Sequence, residues 1–145
     1  MINAPTALRL LGQRVPSKSK SAERAAEELV RKGLPARVID RLADAFGAPA
    51  SEILTLIGLS RATGYRKKAK GAQALRAAQS DRAFRLARVF TLAQSVFEDD
   101  QNTREWFREP NRALSGERPL DLLDTETGTA RVIRVLNQLE HGVYS

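Results

Sequence analysis

The residues best suited to chemistry stand together in one run, SRATGYRKKAK, residues 60–70. A helix lying in the major groove of DNA needs short polar or bidentate groups near its start for base edges, and cations farther along for phosphates. Ser60, Arg61 and Thr63 suit the first need, while Arg66, Lys67, Lys68 and Lys70 suit the second. Tyr65 suits either contact, or packing. Enzymatic chemistry has no comparable cluster. The chain has no cysteine and one histidine, His141, which leaves no thiol nucleophile, no Ser-His-Asp arrangement in prospect and no thiolate zinc site. No glycine-rich phosphate loop is present either. Glu98, Asp99 and Asp100 sit together at a helix end, where solvated surface is the ordinary explanation. The expectation is a binding protein with no catalytic residue, cofactor or metal.

The elements that must position this run are short. Residues 50–57, ASEILTLI, suit a scaffold helix, Gly58 a turn residue that tolerates positive φ, Leu59 a core contact, and Ser60 the cap of a second helix. That is a helix-turn-helix. Two residues depart from its usual pattern. Gly64 stands where such a helix places an apolar residue against the scaffold, and Leu54 where a smaller residue lets the helices approach. Glycine in a helix interior costs about 1 kcal/mol relative to alanine. The plainer alternative is a solvated basic hairpin of helices with no DNA role.

The rest of the chain reads as all-α, rich in Ala, Leu, Arg and Glu, with almost no β-branched alternation. Residues 1–21, ending in PSKSKSA, read as a flexible basic tail. A helix from the Ser21 cap to Gly33 follows, then one with a stripe of Val38, Ile39, Leu42, Ala45 and Phe46. A long helix begins at Ser80 or Asp81, and shorter ones follow in TREWFREP, PLDLL and TARVIRVLNQLEHG. The predicted units are the tail, a helix-turn-helix domain over 22–74 and a second helical domain over 75–145. Charge divides along the same line: through Gly71, 14 Lys or Arg stand against 6 Asp or Glu, and from Ala72 onward 10 stand against 11. A basic half joined to a neutral half implies that only the first half meets a polyanion. No apolar run approaches a membrane span or a signal sequence, so a cytoplasmic protein without membrane contact is expected.

From residue 78 onward the chain resembles the toxin-binding domain of Xre-type bacterial antitoxins, the group that includes MbcA and ParS. The resemblance rests on Ser80-Asp81-Arg82, Trp106, Pro110-Asn111, Leu114, Gly116, Pro119-Leu120, Leu122-Leu123, Gly128 and His141-Gly142-Val143, recurring in order. The preceding half resembles the Xre-like helix-turn-helix of the same antitoxins. The resemblance implies a homodimeric antitoxin that binds a cognate RES-domain toxin, an NAD-consuming protein, and represses its own operon by binding operator DNA. It implies toxin contacts at Asn111, Leu114, Pro119, Leu123, Arg131, Arg134, His141, Gly142, Val143, Tyr144 and Ser145.

The ending, LEHGVYS, has two readings. Gly142 caps a helix and His141 suits its dipole, while Val143, Tyr144 and the carboxylate of Ser145 suit insertion into a partner's pocket. Alternatively, Val143 and Tyr144 fold back onto Trp106. The competing function is a stand-alone helix-turn-helix regulator whose C-terminal half dimerises or senses a ligand.

Overall fold

The computed structural model describes residues 4–16, 18–70 and 73–142, and the architecture is all-α. Eight α-helices follow in order: α1 (Ala4–Leu10), α2 (Ser19–Lys32), α3 (Val38–Phe46), α4 (Ala50–Ile57), α5 (Arg61–Ala69), α6 (Ala77–Phe97), α7 (Asp100–Arg108) and α8 (Glu126–Glu140). Between α7 and α8 lie two 3-10 helices, η1 (Arg112–Leu114) and η2 (Pro119–Asp124). Extended pairing among the described residues is confined to two isolated bridges, Pro35–Ala74 and Asn111–Glu117.

The fold is organised around α6. Its buried residues include Ala83, Phe84, Leu86, Ala87, Val89, Phe90, Leu92 and Ala93, which no single helical stripe can hold. A helix apolar nearly all round must be covered nearly all round. Accordingly α1, α2, α3, α4, α7 and α8 all pack on it. At the centre, Phe46 of α3 meets Phe90 of α6 and Phe107 of α7 edge-to-face, each at a centroid distance of 4.9 Å. Phe90 and Phe107 stack at 5.9 Å, a geometry that adds to simple burial. Trp106 stays half-buried at the margin, 5.5 Å from Phe97, so Phe107 is the deeper core residue of the pair.

Three expectations change. The segment read as a flexible basic tail contains α1, and Ala7, Leu8 and Leu11 are fully buried. Arg9 interrupts the apolar run in sequence, but Ala7 and Leu8 on α1 and Leu11 just past its end are all turned into the core. Arg41 of α3 holds the end of α1, donating from Nε to the Leu10 carbonyl at 3.1 Å and from Nη2 to that of Arg9 at 3.0 Å. Helix α2 begins at Ser19, placing Ser21 inside the helix rather than at its cap. Helix α6 begins at Ala77, so Ser80 is not a cap either: its buried hydroxyl accepts the Leu34 backbone N–H at 2.8 Å. One hydrophobic cluster runs from Ala7 to Leu136, joining the N-terminal helices to the C-terminal ones.

Candidate DNA and partner interfaces

Helices α4 and α5 form the helix-turn-helix with the expected bounds. Gly58 ends α4 at φ 78°, in the left-handed region that favours glycine. The Ser60 hydroxyl accepts the Thr63 N–H at 3.2 Å and caps α5, so this hydroxyl is committed to the backbone. Gly64 is the buried residue of α5, and Leu54 of α4, fully buried, lies directly against it. A Cβ placed on Gly64 would stand 2.7 Å from Leu54 Cδ1. The two departures from the usual motif are therefore one exchange of sizes, each explaining the other.

The cations of α5 divide by face. Lys68 turns inward to Asp40 of α3 at 2.7 Å, and Lys67 donates to the Ala74 carbonyl at 3.2 Å. Both were expected as phosphate contacts; each has an intramolecular partner in this structure, lying one turn beyond Gly64 on the flank that faces the body. Arg61, Tyr65 and Arg66 are exposed on the outer side, with Lys70 beyond the helix end and Thr63 half-buried. Tyr65 is 46% exposed, and the Lys68 ammonium lies 5.3 Å from its ring centre. Ala62 and Ala69, which chemistry alone does not single out, flank this ridge in exposed positions.

Two arginines from the C-terminal half hold the scaffold helix. Arg82 of α6 donates to the Ile57 carbonyl at 3.3 Å and fills the space beside Gly58. At the other end, Arg118 bridges Glu52 at 3.1 Å and Asp121 of η2 at 2.7 Å. The Arg118 guanidinium is held above its ordinary pKa, first by the hydrogen bond to Asp121 and next by that to Glu52. The same Arg118 hydrogen bond holds the Asp121 carboxyl below the usual range. Neither clamp was anticipated, although the Arg118–Asp121 spacing is that of an i, i+3 ion pair.

In the C-terminal region the expected contact residues separate into two groups. Leu114, Pro119 and Leu123 are buried, with Leu114 and Leu123 almost wholly enclosed, so these two expected contact residues face the interior of this chain. They build the underside of the loop that joins α7 to α8. Asn111 shapes the same loop: its side chain accepts the Ala113 N–H at 2.9 Å. Gly128 is required by close approach, since a Cβ there would collide with the Leu122 carbonyl and lie 2.9 Å from Thr125 Oγ1. Thr125 caps α8 by accepting the Gly128 N–H at 2.9 Å.

The second group faces outward along α8. Arg131 pairs with Glu117 at 3.4 Å, and Arg134 and His141 are exposed. Arg134 and His141 line a shallow hollow of about 440 Å³ with Ala130, Ile133, Asn137 and Gln138, the last four being residues that motif reasoning missed. Ala130 and Ile133 continue into a groove of about 260 Å³ between α8 and α6, floored by Phe84 and flanked by Arg88. The α8 periodicity was the available signal, because Ala130, Ile133 and Asn137 fall on a face other than the buried Val132, Val135 and Leu136. Gly142 has φ 67°, as a helix-ending glycine should. Val143, Tyr144 and Ser145 lie outside the described residues, and with them both readings of the ending. Among the described residues no helix is long and apolar enough to cross a membrane.

Comparison with known proteins follows this geometry. Residues 25–88 match the antitoxin Xre-like helix-turn-helix domain, and residues 92–142 match the antitoxin Xre/MbcA/ParS C-terminal toxin-binding domain. The junction between the matches falls inside α6. An "Antitoxin Xre" of Photorhabdus laumondii is 28% identical over 118 residues, covering 81% of this chain and 79% of that protein. A "Prs ADP-ribosylating antitoxin" of Sphingobium sp. is 30% identical over 126 residues, with 81% and 79% covered. An "Antitoxin Xre" of Yersinia enterocolitica is 30% identical over 117 residues, with 80% and 78% covered.

Proposed function

We propose, from the premise that this chain belongs to the Xre antitoxin family, that it neutralises a cognate RES-domain toxin by direct binding and represses its own operon. The observation that carries the reading is its 30% identity, over 81% of the chain, to a relative whose name joins an antitoxin to ADP-ribosylation. ADP-ribosylation consumes NAD, which is the chemistry expected of a RES toxin.

The α8 hollow, lined by apolar Ala130 and Ile133 together with polar Arg134, Asn137, Gln138 and His141, is the contact surface for the toxin. An apolar centre rimmed by polar groups is the usual anatomy of a protein interface. The exposed α5 ridge enters the major groove of operator DNA, with Arg61, Thr63 and Tyr65 toward base edges and Arg66 and Lys70 toward phosphates. The antitoxin acts as a homodimer in the cytoplasm, so that two α5 helices address two half-sites. It works as a protein inhibitor without catalysis of its own.

The test is growth of cells expressing the neighbouring toxin-sized open reading frame, with this protein supplied full-length or truncated after Glu140, both forms first shown to melt cooperatively. Rescue by the full-length chain alone assigns the last five residues to the inhibitory contact. Rescue by both forms leaves inhibition to the α8 surface. A neighbour that is harmless alone removes the antitoxin reading for this pair and favours a stand-alone regulator.

A further inference from the structure

The α5 ridge can read DNA only as well as the body of the protein holds it, and the holding is narrow. Gly64 is the buried residue of α5, and the three atoms nearest to where its Cβ would stand all belong to Leu54. Lys67 and Lys68 tether the helix along one flank, through bonds to Ala74 and Asp40, while Ser60 only caps its first turn. The Leu54 isobutyl group forms an apolar seat directly beneath Gly64. Helix axes settle about 8–10 Å apart according to the side chains at their contact. With no Cβ at Gly64, the α5 backbone sits on Leu54 itself, whose Cγ would be 3.1 Å from an added Cβ.

We propose that Leu54 and Gly64 are the positioning pair that sets the height and roll of α5, and through them the discrimination between operator and unrelated DNA. The inference rests on the DNA-reading function proposed above. Its physical basis is the unequal tolerance of the two kinds of DNA contact. A base-edge hydrogen bond weakens steeply once distance and angle leave a narrow range. A phosphate contact made by a long, flexible cation follows the backbone through the same displacement. Moving α5 by a few tenths of an ångström therefore degrades what Arg61, Thr63 and Tyr65 read, while Arg66 and Lys70 keep their charge and reach.

The experiment uses the full chain carrying Gly64→Ala, Leu54→Val, or Leu54→Ala with Gly64→Ala. Thermal melts establish folding. Fluorescence anisotropy then measures binding to a duplex from the region immediately upstream of the gene and to a shuffled duplex of the same length, across a salt series. Gly64→Ala is expected to weaken binding to the upstream duplex roughly tenfold, the scale of one lost base contact, with shuffled-duplex affinity within about twofold and an unchanged salt slope. In the double variant the new methyl occupies space vacated by Leu54, and discrimination recovers at least in part. If Gly64→Ala does not fold, Leu54→Val is read by the same criteria. Full discrimination in a folded variant, or equal loss on both duplexes, overturns the pairing proposal. A wild-type protein with no preference for the upstream duplex overturns the DNA reading, and the pair's role with it.

Discussion

The two binding regions present their chemistry in opposite ways. In α4–α5 the residues marked by chemical type reach the surface: Arg61, Tyr65 and Arg66 lie on one exposed ridge. Between α7 and α8 several residues marked by motif are instead interior, with Leu114, Leu120 and Leu123 at 1% exposure or less. The difference teaches that a recurring residue can specify a shape without touching a partner. A regular helix needs only capping and a seat to display a chosen side. An irregular loop needs buried leucines, an asparagine cap and a close-approach glycine merely to exist, and these dominate its signature.

The contrast can be broken or sharpened by substitution, beginning where the effect is largest. Leu123→Ala should lower unfolding free energy by about 2–5 kcal/mol in denaturant titration, because a fully buried side chain leaves a cavity. A loss of toxin binding without that destabilisation would return Leu123 to the interface. Ser80→Ala should cost about 1–3 kcal/mol, since it leaves the buried Leu34 N–H without its acceptor. The loss should appear equally in melts followed by far-ultraviolet circular dichroism and by Trp106 fluorescence, as the two halves share one core.

Arg118→Ala should cost no more than about 1 kcal/mol, because Asp121 and Glu52 are substantially solvated. Its signature is the pH dependence. The folded Asp121 pKa lies below its ordinary 3.8, so the pair's contribution is present above that value and lost as pH falls through the lower folded value. Melts of the wild type and Arg118→Ala should therefore converge in strong acid and separate by pH 6. Arg134→Ala should leave stability within about 0.5 kcal/mol while weakening toxin binding in calorimetry by about 1 kcal/mol or more. Arg66→Ala should leave both properties unchanged and reduce the log–log salt slope of DNA binding by about 0.9, one phosphate contact.

How much was legible in the sequence follows from which forces are local. The bounds of α4 and the start of α5 were readable because Gly58 and Ser60 act on their immediate neighbours. The fold class was readable from composition and periodicity. Helix α1 was missed because its stability comes from packing against α6, far along the chain, and Arg9 interrupts its apolar run. The start of α6 was misplaced because Ser80 looks like a cap until its partner, Leu34, is seen 46 residues away. Lys67 and Lys68 were classed by charge, which the sequence displays, rather than by the tethers that the fold supplies. The α8 hollow escaped notice because Ile133, Asn137 and Gln138 carry no motif, only a position on a helical face.

The hold of Arg82 on the end of α4 has a consequence for how such proteins can be recombined. A chimera that takes its DNA specificity from one relative and its toxin specificity from another would naturally be joined in the polar stretch after α5. That joint would set a foreign arginine beneath Gly58 and a foreign serine opposite Leu34. A crossover past the middle of α6 would keep Ser80 and Arg82 with the helices they brace and leave Arg118, opposite Glu52, as the contact still to be matched. Half of α6 would then travel with α4 and α5, so a splice within an element preserves more of their bracing than one between elements.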